Sequence, residues 1–177
     1  FIQETARETF IPLCVGGGIR TLEDIKQVLR VGADKVSINT AAIKDPDFIK
    51  EAANRFGSST IVVTIEAIQS ESGQYLAYID NGREYTGVDV IEWAQRVDEL
   101  GAGEIVITSV DREGTGKGYD IDISRKVSES VSVPVIAHGG GGSIDHIKDV
   151  ISHGEVDAVA VASVFHYDTV QKIDRKE

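Results

Sequence analysis

The chain has 177 residues, 41% of them hydrophobic and 27% charged, with 18 glycines and 3 prolines. That composition suits one sizeable core, so residues 1–177 are expected to form a single globular domain rather than a disordered or fibrous chain. A net charge of −11 argues against a nucleic-acid partner, and no apolar run reaches the length of a membrane span.

Ile11 to Val15 is a short apolar run closed by Gly16-Gly17-Gly18, the pattern of a buried parallel strand. The single cysteine, Cys14, excludes an internal disulfide and fits a reducing cytoplasm; inside that strand it reads as a small core residue. Thr21 caps a helix over Leu22 to Val31, with Leu22, Ile25, Val28 and Leu29 on one face. Lys35 to Ile38 is the next strand, and Asp45-Pro46 opens a helix that runs to Phe56. Thr60 to Glu66 is a third strand, ending on a carboxylate.

Gln74 to Tyr85 breaks the rhythm: it alternates and turns at Asn81-Gly82, a β-hairpin inserted after the third strand. Val88 to Leu100 is an amphipathic helix whose Trp93 reads as core. Glu104 to Thr108 is the fourth strand and Ile121 to Glu129 the helix after it. Val133 to Ala137 and Ala158 to Val161 complete the set, and His146 and His153 read as surface residues. Alternating strands and helices predict a parallel sheet with right-handed crossovers.

The chain also repeats itself. Pro12 through Val36 (strand, glycine turn, helix, strand) recurs from Pro134 through Val159. Four strand–helix units of about 30 residues fill the spacing between the copies, and twice that is about 250 residues, the usual size of a (β/α)8 TIM barrel. The expected fold class is therefore α/β, a (β/α)8 TIM barrel of two related half-barrels; an open doubly wound sheet is the alternative. Six strand–helix units can be counted from Phe10 onward, and the chain begins at Phe1 without a methionine. The expectation is that the first two βα units are missing from this chain, which then carries units three to eight.

In such barrels the chemistry sits at the carboxyl ends of the strands. Gly16-Gly17-Gly18 and Gly139-Gly140-Gly141-Gly142 both follow strands and open helices. Glycines let backbone N–H groups approach an anion, and the helix N-terminus adds partial positive charge. Paired with Asn39-Thr40 and Ala162-Ser163, the two turns predict two phosphate sites on opposite sides of one mouth. The ligand is then a small molecule with a phosphate at each end. Between them stand Glu66, a strand-end carboxylate suited to acid–base work, and Thr108 with its following loop. Glu113 beside Gly114 either moves protons or shapes the second phosphate site. His138 is either a proton carrier or a packed, hydrogen-bonded histidine; His166 follows the last strand. No His, Cys and carboxylate spacing reads as a metal site, and no cofactor is expected.

Val15-Gly16-Gly17-Gly18-Ile19-Arg20, Asp34 to Ala42, Gly101 to Ile105, Thr108 to Thr115 and Ala162 to His166 closely resemble the cyclase subunit of imidazole glycerol phosphate synthase. The sister isomerase of the same pathway shares the glycine turns, but Val36 to Thr40 and Ala162 to His166 look like the cyclase. The resemblance implies a lyase-type reaction in which ammonia from a glutaminase partner attacks a bis-phosphorylated ribulosyl-formimino aminoimidazole carboxamide. Imidazole glycerol phosphate and aminoimidazole carboxamide ribotide leave, with two carboxylates as general acid and base. It implies that Gly18, Asn39 and Thr40 bind one phosphate, and Gly114, Gly140, Gly141, Ala162 and Ser163 the other. Thr108, Glu113 and His138 then contact substrate. Lys35 and Glu104 would face the glutaminase at the ammonia entrance, or else be solvent-exposed strand-start charges.

Four changes depart from the family pattern. Glu66 and Glu113 stand where the family has aspartate, Ala67-Ile68-Gln69 replaces an Ala-Lys-Arg, and His138 replaces a serine. The other carboxylate of the pair belongs to a first strand that is not in this sequence. Because all four changes fall in the mouth, two further readings stay open. One is a paralogue supplying ammonia for sugar amidation in surface-polysaccharide synthesis; the other is a non-catalytic ammonia conduit that activates the glutaminase.

Overall fold

A computed structural model describes residues 2–165. In chain order the elements are α1 (Ile2–Glu8), β1 (Cys14–Gly16), α2 (Leu22–Arg30), β2 (Lys35–Ile38), α3 (Thr40–Lys44), α4 (Asp47–Phe56) and β3 (Ile61–Gln69). After the hairpin β4 (Tyr75–Ile79) and β5 (Glu84–Asp89) come α5 (Val90–Glu99), β6 (Glu104–Ser109), α6 (Ile121–Ser130), β7 (Val135–His138), α7 (Ile144–Gly154) and β8 (Ala158–Val159). The main sheet runs β1-β2-β3-β6-β7-β8, and every neighbouring pair in it is parallel.

Side chains alternate between the two faces of each strand. Ile61, Val63 and Ile65 of β3, with Ile105 and Ile107 of β6, face the helices, and each is at most 1% exposed. They pack with Ile25, Ile49, Trp93 and Val127 from the helices into one core. Each such side chain contributes about 1.5–3 kcal/mol by leaving water.

The opposite face is polar at both ends. Register places Ser37, Val62 and Glu104 in one row, and Thr64, Val106 and Ile136 in the next. Glu66, Thr108 and His138 form the row nearest the carboxyl ends.

Local chemistry explains the helix starts. The Thr21 hydroxyl accepts from the N–H of Asp24, while the Asp24 carboxylate accepts from the N–H groups of Arg20 and Thr21. This reciprocal cap begins α2 immediately after the first glycine turn. Asp89, Asp120 and Ser143 cap α5, α6 and α7 in the same general way.

The structure corrects several expectations. The first strand is Cys14–Gly16 rather than Ile11 to Val15, and Ile11 is 74% exposed. Cys14 is exposed on this edge strand and not a core residue. The helix expected from Asp45-Pro46 starts at Asp47, preceded by the separate short helix α3. The third strand continues past Glu66 to Gln69, because the hairpin pairs with it from Glu66 onward along the edge that β2 leaves after Val63. The last strand is two residues long, Ala158–Val159. Helix α1 lies in a stretch where no element was expected. His166 lies outside the described residues.

Candidate functional site

Both glycine turns leave the carboxyl ends of parallel strands, β1 and β7, and lead into α2 and α7. Gly17, Gly18, Gly139 and Gly140 all have positive φ, which only glycine adopts without strain. At Gly140 a second constraint acts: a Cβ would stand 2.2 Å from the carbonyl oxygen of Gly118. The N–H of Gly118 donates to the Gly140 carbonyl at 2.8 Å, tying the loop after β6 to the loop after β7. Among the described residues, the N–H groups of Gly17, Gly18, Gly140 and Gly141 have no protein acceptor. Donors left open beside helix N-termini are the ingredients of an anion site.

Each turn lines a cavity. The larger, about 920 Å³, is bounded by Gly17, Gly18, Asn39, Thr40 and Glu66, together with Arg20, Lys44, Asp80 and Asn81. The smaller, about 60 Å³, is bounded by Glu113, Gly114, His138, Gly139, Gly140, Gly141, Ala162 and Ser163. The residues expected at each phosphate thus come together in two separate groups.

Glu66 is half-buried in the larger cavity, and its Oε2 accepts from the backbone N–H of Gly82 at 2.8 Å. Two residues before it on the same face, Thr64 shares a 2.6 Å hydroxyl–hydroxyl bond with Ser37. Thr108 lines neither cavity. It is 5% exposed, stands between Glu66 and His138 in register, and its Oγ1 lies 3.2 Å from His138 Nδ1.

At the other end of the sheet, Lys35 Nζ pairs with Glu104 Oε1. The pair spans β3 on the polar face, and the two side chains are only 30% and 23% exposed. They are therefore not freely solvated strand-start charges.

Sequence reasoning missed the hairpin's contact with Glu66, and it missed Arg20 and Lys44, the two cationic side chains of the larger cavity. Thr64 was findable, since a strand residue two positions from a site residue shares its face. His146, expected at the surface, is half-buried with its Nδ1 accepting from the Gly142 N–H at 3.2 Å. His153 is exposed and paired with Asp149. Partial burial and the Glu104 carboxylate push the Cys14 thiol up, the opposite of an activated nucleophile. Among the described residues, no group of His, Cys, Asp and Glu is arranged to hold a metal, and no helix is long and apolar enough to cross a membrane.

Fold and site first define a class: an α/β protein of the TIM-barrel type, with polar cavities at the carboxyl ends of its parallel strands. The family follows from comparison with known proteins. The family model described as histidine biosynthesis protein matches residues 1–171. The chain is 48% identical over 169 residues to imidazole glycerol phosphate synthase subunit HisF of Alkaliphilus metalliredigens, covering 96% of this chain and 67% of that protein. The chain belongs to the histidine biosynthesis protein family.

Proposed function

We propose that this chain is the cyclase part of an imidazole glycerol phosphate synthase. In this reading it takes ammonia from a glutaminase partner and attacks a bis-phosphorylated ribulosyl-formimino aminoimidazole carboxamide. The products are imidazole glycerol phosphate and aminoimidazole carboxamide ribotide, with one water lost on ring closure. The observation that carries it is the pair of glycine-lined cavities flanking the Glu66 row, matched to a two-phosphate ligand. Likeness to the Alkaliphilus protein supports the same reading. The six parallel strands are then units three to eight of a barrel of two related halves.

Each role follows from position. Gly18, Asn39 and Thr40 hold one phosphate, beside the Arg20 and Lys44 cations, and Gly114, Gly140, Gly141, Ala162 and Ser163 the other, with backbone dipoles contributing at both. Glu66 moves the proton at the ring-closing centre, held in one orientation by Gly82. The second carboxylate of the family's pair is assigned to a strand outside this sequence. Lys35 and Glu104 guard the amino ends of the strands, where the partner docks and ammonia enters.

Ammonia-dependent turnover of the bis-phosphorylated intermediate is the direct test. Glu66→Gln is expected to lower kcat about 10²-fold or more, the scale of a lost general acid or base. A second reading draws on Glu66, Glu113 and His138, cavity residues changed from the family pattern, and on Ile68-Gln69 at the end of β3 beyond them. It assigns the protein to ammonia supply for sugar amidation. Tight binding of the bis-phosphate without turnover favours this second reading.

A further inference from the structure

The two cavities differ in one respect that their shared backbone design hides. The larger contains two permanently charged cations, Arg20 and Lys44. The smaller contains no lysine or arginine among its lining residues, and its only side chain able to become a cation is His138. That imidazole is the last residue of β7, and it enters the glycine turn directly.

We propose that His138 is the charge-bearing ligand of the second anion pocket, donating from Nε2 to a bound dianion. The inference rests on the two-phosphate reading and assigns within it an atom and a charge state. Three observations converge on it. Thr108 Oγ1 lies 3.2 Å from Nδ1, placed to accept from the charged ring there and leave the Nε2–H for the anion. Thr108 is 5% exposed and stands in register beside His138, which makes it a fixed anchor. The unbonded N–H groups of Gly140 and Gly141 border the same small recess, so ring and backbone donors converge on one anion.

The charges around the ring set the sign. Glu113 lines the recess from the loop after β6, and Arg112 in that loop lays its Cβ beside the Gly140 position. Glu66 stands in the same row on β3. From α7, His146 is occupied by the Gly142 N–H. Glu104 and Asp157 lie toward the opposite ends of the neighbouring strands. With a carboxylate at the recess, a neutral imidazole offers little net attraction to an anion. A protonated one offsets Glu113 and adds a charge-assisted hydrogen bond. Binding at this pocket therefore takes up a proton and weakens as the pH rises.

Sulfate is the probe, because it stays a dianion across neutrality while phosphate does not. Sulfate is titrated into the full-length protein at pH 6 and at pH 8, following backbone amide shifts of Gly18 for one pocket and of Gly140 and Gly141 for the other. Ring nitrogen shifts of His138 are read in the same samples. The expected result is a second-pocket affinity about tenfold weaker at pH 8, with the Gly18 response nearly constant. His138→Ser is expected to lose the tighter binding at pH 6, and His138→Gln to keep a neutral donor and lose the pH dependence. Thr108→Val is expected to remove the oxygen that holds the charged ring at Nδ1 and to weaken binding at the second pocket alone. Unchanged affinity and pH dependence at Gly140 and Gly141 in His138→Ser overturns the proposal while leaving the two-phosphate reading intact. Silence at both turns overturns that reading as well.

Discussion

The backbone N–H of Gly82 donates to Oε2 of Glu66 at 2.8 Å, across 16 residues of chain. Glu66 sits where the hairpin has taken the edge of β3 that β2 leaves after Val63, while β6 still pairs on the other edge: it faces Thr108 on one side and Tyr78 on the other. The turn that delivers Gly82 is tightly built. Asp80, Asn81 and Gly82 all have positive φ, an arrangement that asparagine, aspartate and glycine tolerate best. The inserted hairpin thus orients the carboxylate.

Gly82→Ala tests that arrangement. Its φ is +73°, and an added Cβ would stand 2.7 Å from Val110 Cγ1, so the turn must shift and the N–H move off Glu66. In the proposed cyclase assay, kcat is expected to fall about tenfold or more with little change in KM, since misplacing a reacting group by about 1 Å costs up to 10²-fold. Adding Val110→Ala relieves the collision and is expected to recover part of the rate. An unchanged kcat would show that the hairpin is only a structural cover.

The Lys35–Glu104 pair predicts a different phenotype. Lys35→Met leaves Glu104 partly buried without its partner, for a loss of about 1 kcal/mol or a Tm lower by about 2–4 °C. If this end admits ammonia from a glutaminase, the variant should lose glutamine-dependent turnover while keeping turnover with added ammonium. Equal losses in both assays would remove the gate role.

Much of this site was legible before the structure because strand-end residues announce themselves. A glycine run after an apolar strand, or a carboxylate ending one, needs only local pattern to be noticed. The repeat of Pro12 to Val36 in Pro134 to Val159 carried the pairing of the two turns. What stayed hidden depends on long-range register. Nothing local says that Thr108 lies beside His138, or that a turn 16 residues away caps Glu66. The strand at Ile11 was misplaced for a related reason. Its apolar run predicts burial, yet hydrogen bonding to β2 reaches back only to the Leu13 carbonyl, and Ile11 lies exposed before it.

The two glycine turns should respond unequally to the same substitution. Gly18→Ala pays for a left-handed backbone alone, about 1–2 kcal/mol, since no atom lies within 4 Å of its added Cβ. Gly140→Ala adds a collision with the Gly118 carbonyl at 2.2 Å and disturbs the link between the two loops. Denaturant midpoints should fall at least twice as far for Gly140→Ala, with anion binding lost at the second pocket. Equal destabilisation would mean the loop after β6 yields freely.

Acid stability should carry the mark of the cap at the first turn. The Arg20 backbone N–H, and then the Thr21 side chain, hold the Asp24 carboxyl below its ordinary value of 3.8. A carboxylate depressed in the folded state stabilises it above the unfolded pKa, and that contribution disappears as pH falls through the folded one. Asp24→Asn should therefore melt below the parent protein at pH 7, and the gap should hold down to about pH 5 and close below the ordinary value. Because Asp24 also fixes the N–H groups that follow Gly18, the same variant should weaken sulfate binding at the first turn and spare the second. A Tm gap that did not narrow as the pH fell below the ordinary carboxylate value would assign the cap's effect to side-chain shape rather than to the charge of Asp24.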